Sequence, residues 1–234
     1  MYNKKILGDC RIGILGGIGP EATGTFYLNI IKKIQEKFDL KSNTEFPKIF
    51  INSINAPELI HSNVSKSELQ SYVDGLRELD KFNPDFIVMA CNTIHLFHTE
   101  LQKTTHARIL DMQNEINAEL KRRRIKSFLI LATPMTTYGN LYAVDGAKCF
   151  RPNKNELEEI ANYIKRYNSG HISKRDMKNF RKIINKYRKL GAESVILGCT
   201  ELSLLAKDME VPKIDAMDIM VEATLNKIDG IAQR

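Results

Sequence analysis

Phe86-Ile87-Val88-Met89-Ala90-Cys91-Asn92-Thr93 and Val195-Ile196-Leu197-Gly198-Cys199-Thr200-Glu201 are two settings of one pattern. In each, a short apolar run containing β-branched residues reads as a buried parallel strand. Each run closes on a cysteine. Small polar residues follow, opening what reads as a helix through Ile94-His95-Leu96-Phe97 or Leu202-Ser203-Leu204-Leu205. Open α/β sheets hold their ligands where a strand's C-terminal end meets a helix N-terminus. The unpaired N–H groups and dipole of such a helix also favour a thiolate, while burial opposes it. Two thiols so placed point to a pair of acid/base groups, Cys91 and Cys199, facing one substrate.

The same alternation extends outward from these runs. Arg11-Ile12-Gly13-Ile14-Leu15 predicts a first strand and Lys48-Ile49-Phe50-Ile51-Asn52 a second. Phe128-Leu129-Ile130-Leu131 opens the second half, and Pro212-Lys213-Ile214-Asp215 is a short last strand. Helical spacing predicts helices over 22–38, 67–81, 112–124, 155–167, 174–190 and 217–232; the first carries Phe26, Ile30, Ile31 and Ile34 on one face. Strands alternating with helices indicate an α/β fold with parallel, doubly wound sheets. Each half offers a strand ending in a polar or glycine-rich turn, then a strand ending in Cys-Asn or Cys-Thr. The chain therefore reads as two similar doubly wound domains related by a pseudo-twofold axis, with the active site in the cleft between them. The expected division is 1–106 plus 217–234, the latter a returning C-terminal helix, against 107–216.

Composition narrows the function classes. The 234 residues are 43% hydrophobic, ordinary for a globular protein, and no apolar stretch approaches the length of a membrane span. The first residues lack the apolar core of a signal peptide, so a cytoplasmic location is expected. Four cysteines without a C-x-x-C pair do not make a disulfide scaffold, and five scattered histidines do not make a metal site. Cys10 and Cys149 lack comparable flanks and read as small buried hydrophobes. Net charge is +7, with the densest basic run at Lys121-Arg122-Arg123-Arg124-Ile125-Lys126. That run reads as a solvated helix end and lacks interleaved aromatics, so neither a nucleic-acid nor a membrane partner is expected.

Two turns complete the candidate site. Gly17-x-Gly19-x-x-Ala22 formally fits a dinucleotide fingerprint, but Pro20 removes an N–H from the turn. The next strand also ends in Asn52 rather than an acidic residue that could hold a ribose. The segment Gly17-Ile18-Gly19 reads better as backbone brought close to a small carboxylate. Thr133, Thr136 and Thr137 end the corresponding strand of the second half. Read alone, they are equally an N-cap or hydroxyl donors to the same carboxylate.

With these residues assembled, the chain resembles the aspartate/glutamate racemase family. The similarity is carried by 13–23, Met89-Ala90-Cys91-Asn92-Thr93-Ile94-His95, Ala132-Thr133-x-x-Thr136, Leu197-Gly198-Cys199-Thr200-Glu201 and Ile214-Asp215-Ala216-Met217-Asp218, in order over nearly the whole chain. Cys-Asn-Thr-x-His together with Cys-Thr-Glu is closer to the aspartate racemase branch. The resemblance implies two similar α/β domains, catalysis without pyridoxal phosphate or metal, and commonly a homodimer. It implies a thiolate base and a thiol acid at Cys91 and Cys199. Donors from Gly17, Ile18, Gly19, Asn92, Thr93, Thr133, Thr136 and Thr200 would hold the substrate, with Asn52 and Glu201 nearby. It also exposes two departures. The arginine that aspartate racemases carry in a Pro-Asp-Arg segment falls on Leu59 of Pro57-Glu58-Leu59, and a family lysine aligns near Asn168. Lys165, Arg166 or His61 are the cations at hand to substitute. The expected activity is interconversion of L- and D-aspartate, glutamate or a related amino acid. The alternatives are a superfamily isomerase or decarboxylase of a small dicarboxylate, and a non-catalytic binder of small carboxylates.

Overall fold

The structure, a computed structural model, describes residues 4–60, 65–142 and 146–233. It contains two four-stranded parallel sheets. The first is ordered β2-β1-β3-β4, from β1 (Arg11–Gly16), β2 (Lys48–Ser53), β3 (Phe86–Met89) and β4 (Arg108–Ile109). The second is ordered β6-β5-β7-β8, from β5 (Ser127–Ala132), β6 (Lys148–Phe150), β7 (Ser194–Gly198) and β8 (Lys213–Asp215). Strand for strand the orders correspond, as a duplicated unit requires. Strands β3, β5 and β7 are buried at every residue, and β1 at all but its first. Their sequences run apolar without alternation because helices cover both faces. β2 lies at an edge and is exposed at alternate positions near its end.

The helices are α1 (Lys4–Asp9), α2 (Pro20–Phe38), α3 (Lys66–Asp80), α4 (His98–Gln102), α5 (Met112–Arg122), α6 (Pro134–Tyr138), α7 (Lys154–Asn168), α8 (Lys174–Lys189), α9 (Thr200–Leu205) and α10 (Ala216–Ala232). Three start at capping boxes: Ser65 with Glu68, Asn153 with Glu156, and Ser173 with Asp176. Such a cap stabilises a helix by about 1 kcal/mol. α8 is the clearest amphipathic case. It buries Phe180, Ile183, Ile184 and Tyr187, one stripe at helical spacing, and leaves its lysines and arginines outside. α5 follows β4 as α10 follows β8, and these two helices pack on each other. One apolar core runs through them, from Ile12 and Phe86 in the first sheet to Phe128 and Ile196 in the second. That shared core fixes the two halves in one orientation.

Several details depart from the sequence expectation. β4 and β6 are strands of two and three residues, too short to show a pattern. β4 follows residue 106 yet pairs with β3, so it belongs to the first sheet. The segment after Cys91 is a 3-10 helix, Thr93–Phe97, that passes into the five-residue α4 rather than an α-helix from its start. No helix among the described residues is long and apolar enough to cross a membrane.

Candidate active site

Strand register explains why the four turns converge. β1 and β3 lie side by side with Leu15 opposite Met89, so the glycine turn and Cys91 emerge together. β5 and β7 repeat this with Ala132 opposite Gly198, bringing Thr133 beside Cys199. The first domain contributes Ile18, Gly19, Cys91, Asn92 and Thr93 to one cleft; the second contributes Thr133, Cys199, Thr200 and Glu201. The cleft encloses about 30 Å³, room for one or two water molecules. An amino-acid-sized molecule does not fit the cleft in this form.

Three threonine hydroxyls form a closed ring across the domain boundary. Thr93 Oγ1 lies 3.0 Å from Thr133 Oγ1, Thr133 Oγ1 donates to Thr136 Oγ1 at 3.1 Å, and Thr136 Oγ1 donates to Thr93 Oγ1 at 2.9 Å. Thr133 is also the N-cap of α6, accepting from the Thr136 N–H at 3.1 Å. The N-cap reading of the threonine cluster therefore holds for Thr133. Beside the ring, Asn92 is 2% exposed, and its Oδ1 accepts from the buried Tyr142 hydroxyl. Asn92 Nδ2 is buried without a partner. A buried amide donor left unpaired costs about 1–3 kcal/mol. Its place on the cleft wall suits it to an incoming oxygen anion.

The two thiols differ in their surroundings. Burial pushes the Cys91 thiol up to about 12, opposed by backbone N–H groups of Ile94 and Thr93. Cys199 lies well above the usual thiol range, first through burial and then through the Glu201 carboxylate and the Cys91 charge. Its Sγ donates to Glu201 Oε2 at 2.8 Å, and Thr200 Oγ1 donates to the same oxygen at 3.0 Å. Burial thus outweighs the helix end, and both thiols are neutral near pH 7 in the closed cleft. Both thiols meet backbone N–H groups and feel the Glu201 carboxylate; the difference is that Cys199 alone donates directly to it among the described residues.

Three expected site residues stand elsewhere. Gly17 is not on the cleft wall; its N–H is committed to Thr23 Oγ1 at 2.9 Å, and its φ of 91° sets the turn. A side chain there would collide with the Ile54 carbonyl at 2.3 Å, so the glycine serves chain packing. Asn52 turns away, donating to the Gly75 carbonyl and to Glu78. Thr136 is fully buried behind Thr93 and Thr133 and is bonded to both. Gly19 does face the cleft: a Cβ on it would stand 2.5 Å from Glu201 Oε1. Only hydrogen lets the domains approach so closely.

The cleft also takes in residues that motif reading left unassigned: Glu58, Ile60 and Ile164, together with Leu59 and Asn168. Asn168 Nδ2 donates to Glu58 Oε1 at 3.0 Å across the mouth. Beside it, the Tyr167 hydroxyl donates to Glu21 at 3.0 Å. These residues come from a loop and a helix end, where no local pattern announces a site. Lys165 and Arg166 are not on the cleft wall, and Arg166 pairs with Asp176 at 2.7 Å. His61 lies outside the described residues. His95 is buried beside Met89 with its pKa lowered to about 4 by burial, so it is neutral and structural here. Among the described residues, no group of three His, Cys, Asp or Glu could hold a metal ion.

Comparison with known proteins gives a consistent picture. Residues 15–224 match the family described as Asp/Glu/Hydantoin racemase. The chain is 24% identical over 228 residues to the broad specificity amino-acid racemase RacX of Bacillus subtilis (strain 168), covering 92% of this chain and 96% of that one. Among solved structures it resembles an aspartate racemase homologue from Pyrococcus horikoshii OT3, with 26% identity, TM-score 0.72, and coverage of 94% and 99%. The Picrophilus torridus aspartate racemase shares the fold at 22% identity and TM-score 0.76, with 94% of each chain covered.

Proposed function

The chain belongs to the Asp/Glu/Hydantoin racemase family, and from that premise we propose that it is an amino-acid racemase using Cys91 and Cys199 as its two acid/base groups. The observation that carries the reading is one cleft holding both thiols, one from each half, beside an unpaired buried donor at Asn92. The likeness to a broad specificity amino-acid racemase supports the reaction class.

Inversion requires a proton to leave one face of the α-carbon and another to arrive on the opposite face. In one direction the Cys91 thiolate takes the α-proton while the Cys199 thiol gives its proton to the other face. The enzyme is left with a Cys91 thiol and a Cys199 thiolate, and the reverse reaction restores the first state. Each positioned group contributes about 10²–10⁴-fold. The carbanion between the two steps spreads its charge onto the α-carboxylate. Asn92 Nδ2 is the donor at hand to stabilise it, and the Thr93 and Thr133 hydroxyls would join it by giving up bonds of their ring. Because Cys91 is a thiol at rest, it must first lose its proton to solvent before the substrate seals the cleft, and the substrate's α-ammonium then offsets the thiolate charge. Glu201 is placed to hold both that ammonium and the Cys199 proton.

The test is enantiomer analysis by chiral chromatography, with L- and D-amino acids offered separately to the purified protein. Inversion in both directions is expected. Its absence across acidic, neutral and basic amino acids would overturn the assignment.

A further inference from the structure

We propose that the cleft selects amino acids with a cationic side chain, of the lysine, ornithine and arginine class, over aspartate and glutamate; this rests on the racemase reading. The charges on the wall carry it. Two carboxylates, Glu58 and Glu201, line the cleft, and no lysine or arginine does so among the described residues. A third carboxylate, Glu21, sits at the adjoining contact with Tyr167. Although the whole chain is basic, its cleft is therefore acidic. A substrate with a side-chain carboxylate would add like charge to a poorly hydrated space, where repulsion is felt strongly.

The two lining carboxylates have different duties. Glu201 is engaged by the Cys199 thiol and the Thr200 hydroxyl, close to the reacting carbon. Glu58 stands at the mouth and, among the described residues, accepts a neutral amide bond from Asn168. An ammonium or guanidinium in place of that amide would make a charge-assisted bond, roughly twice as strong. Between these two points the wall is apolar, built from Leu59, Ile60 and Ile164. Lysine and arginine favour such a path, burying the methylene stem and leaving the charged head at a polar edge. The bond between Asn168 and Glu58 also ties the second domain to the first across the closed cleft. A cationic side chain would compete with Asn168 for Glu58 at the cleft wall. Glu58 is thus a specificity-determining residue.

The experiment measures kcat/KM for L-lysine, L-arginine, L-aspartate, L-glutamate and L-methionine on the full chain and on Glu58→Gln. Ligand-induced thermal stabilisation by the same amino acids is recorded alongside. Lysine or arginine should exceed aspartate and glutamate by about tenfold or more, and Glu58→Gln should lower the lysine-to-methionine ratio by about tenfold. Aspartate turning over as well as lysine, or an unchanged ratio in Glu58→Gln, overturns the proposal and leaves the racemase reading standing. If no amino acid is inverted, the racemase reading fails, and stabilisation decides charge selection alone. Lysine stabilising more than aspartate, with the difference lost in Glu58→Gln, supports it; equal stabilisation overturns it.

Discussion

Replacing Asn92 with alanine separates a group kept for chemistry from one kept for packing. Asn92 is buried, its Oδ1 accepts from Tyr142, and its Nδ2 has no partner. In the substrate complex that Nδ2 would donate to the α-carboxylate, a charge-assisted bond contributing about 1.5–3 kcal/mol. Asn92→Ala should therefore lower kcat/KM by about 10- to 150-fold. Stability should respond differently. Removing the unpaired amide relieves about 1–3 kcal/mol of desolvation, while Tyr142 loses its acceptor at a similar cost. Part of that loss is softened because the Tyr142 hydroxyl keeps Met112 Sδ at 3.3 Å. The two contributions nearly cancel, leaving Tm within about 4 °C of the parent. Inversion kinetics by chiral chromatography and a thermal melt give both numbers on one preparation. A lowered Tm with unchanged kcat/KM would refute the reasoning and make Asn92 a structural residue.

Other outcomes follow from the same geometry. Tyr142→Phe, unlike Asn92→Ala, should destabilise the fold. It leaves Asn92 Oδ1 without its donor, so unfolding should come about 1–3 kcal/mol more easily, read by urea titration. Because burial raises Cys91 to about 12, the thiol is protonated at neutral pH and its thiolate fraction grows as pH rises. A pH profile of kcat/KM should climb about tenfold per unit between about pH 7 and 9; a plateau beginning near pH 7 would show that the thiol ionises normally. Thr136→Val removes the hydroxyl that closes the threonine ring without touching the cleft wall. A loss of about tenfold in kcat/KM, from misaligned Thr93 and Thr133, is expected in steady-state assays.

The fold was legible because its central strands carry their own signature. Residues 86–89 and 195–198 are continuous apolar runs since both faces of each sheet are covered. The cysteines at their ends were legible for the same reason, as polar interruptions at fixed places. What stayed hidden depends on tertiary contact. Asn52 ends a strand as a ligand residue would, yet β2 sits at the sheet edge and its side chain reaches α3. Gly17 belongs to the same turn as Gly19, and only the approach of Glu201 distinguishes the two. The stretch after Cys91 has the composition of a helix start, but Asn92 itself takes helical angles and a 3-10 turn results. Glu58 and Asn168 lie 110 residues apart and meet only because the halves close on each other.

The central claim, two thiols working on opposite faces of one carbon, is tested most directly by running the reaction in D₂O from a protiated L-amino acid and stopping it early. Both thiols exchange with solvent, so the donor on the far face should deliver deuterium to every molecule inverted. The D-enantiomer should then carry deuterium while the recovered L-enantiomer keeps its hydrogen, and changing either Cys91 or Cys199 to alanine should end inversion. Deuterium appearing in the recovered L-enantiomer as fast as the D-enantiomer forms would contradict the account, since one base would then be serving both faces.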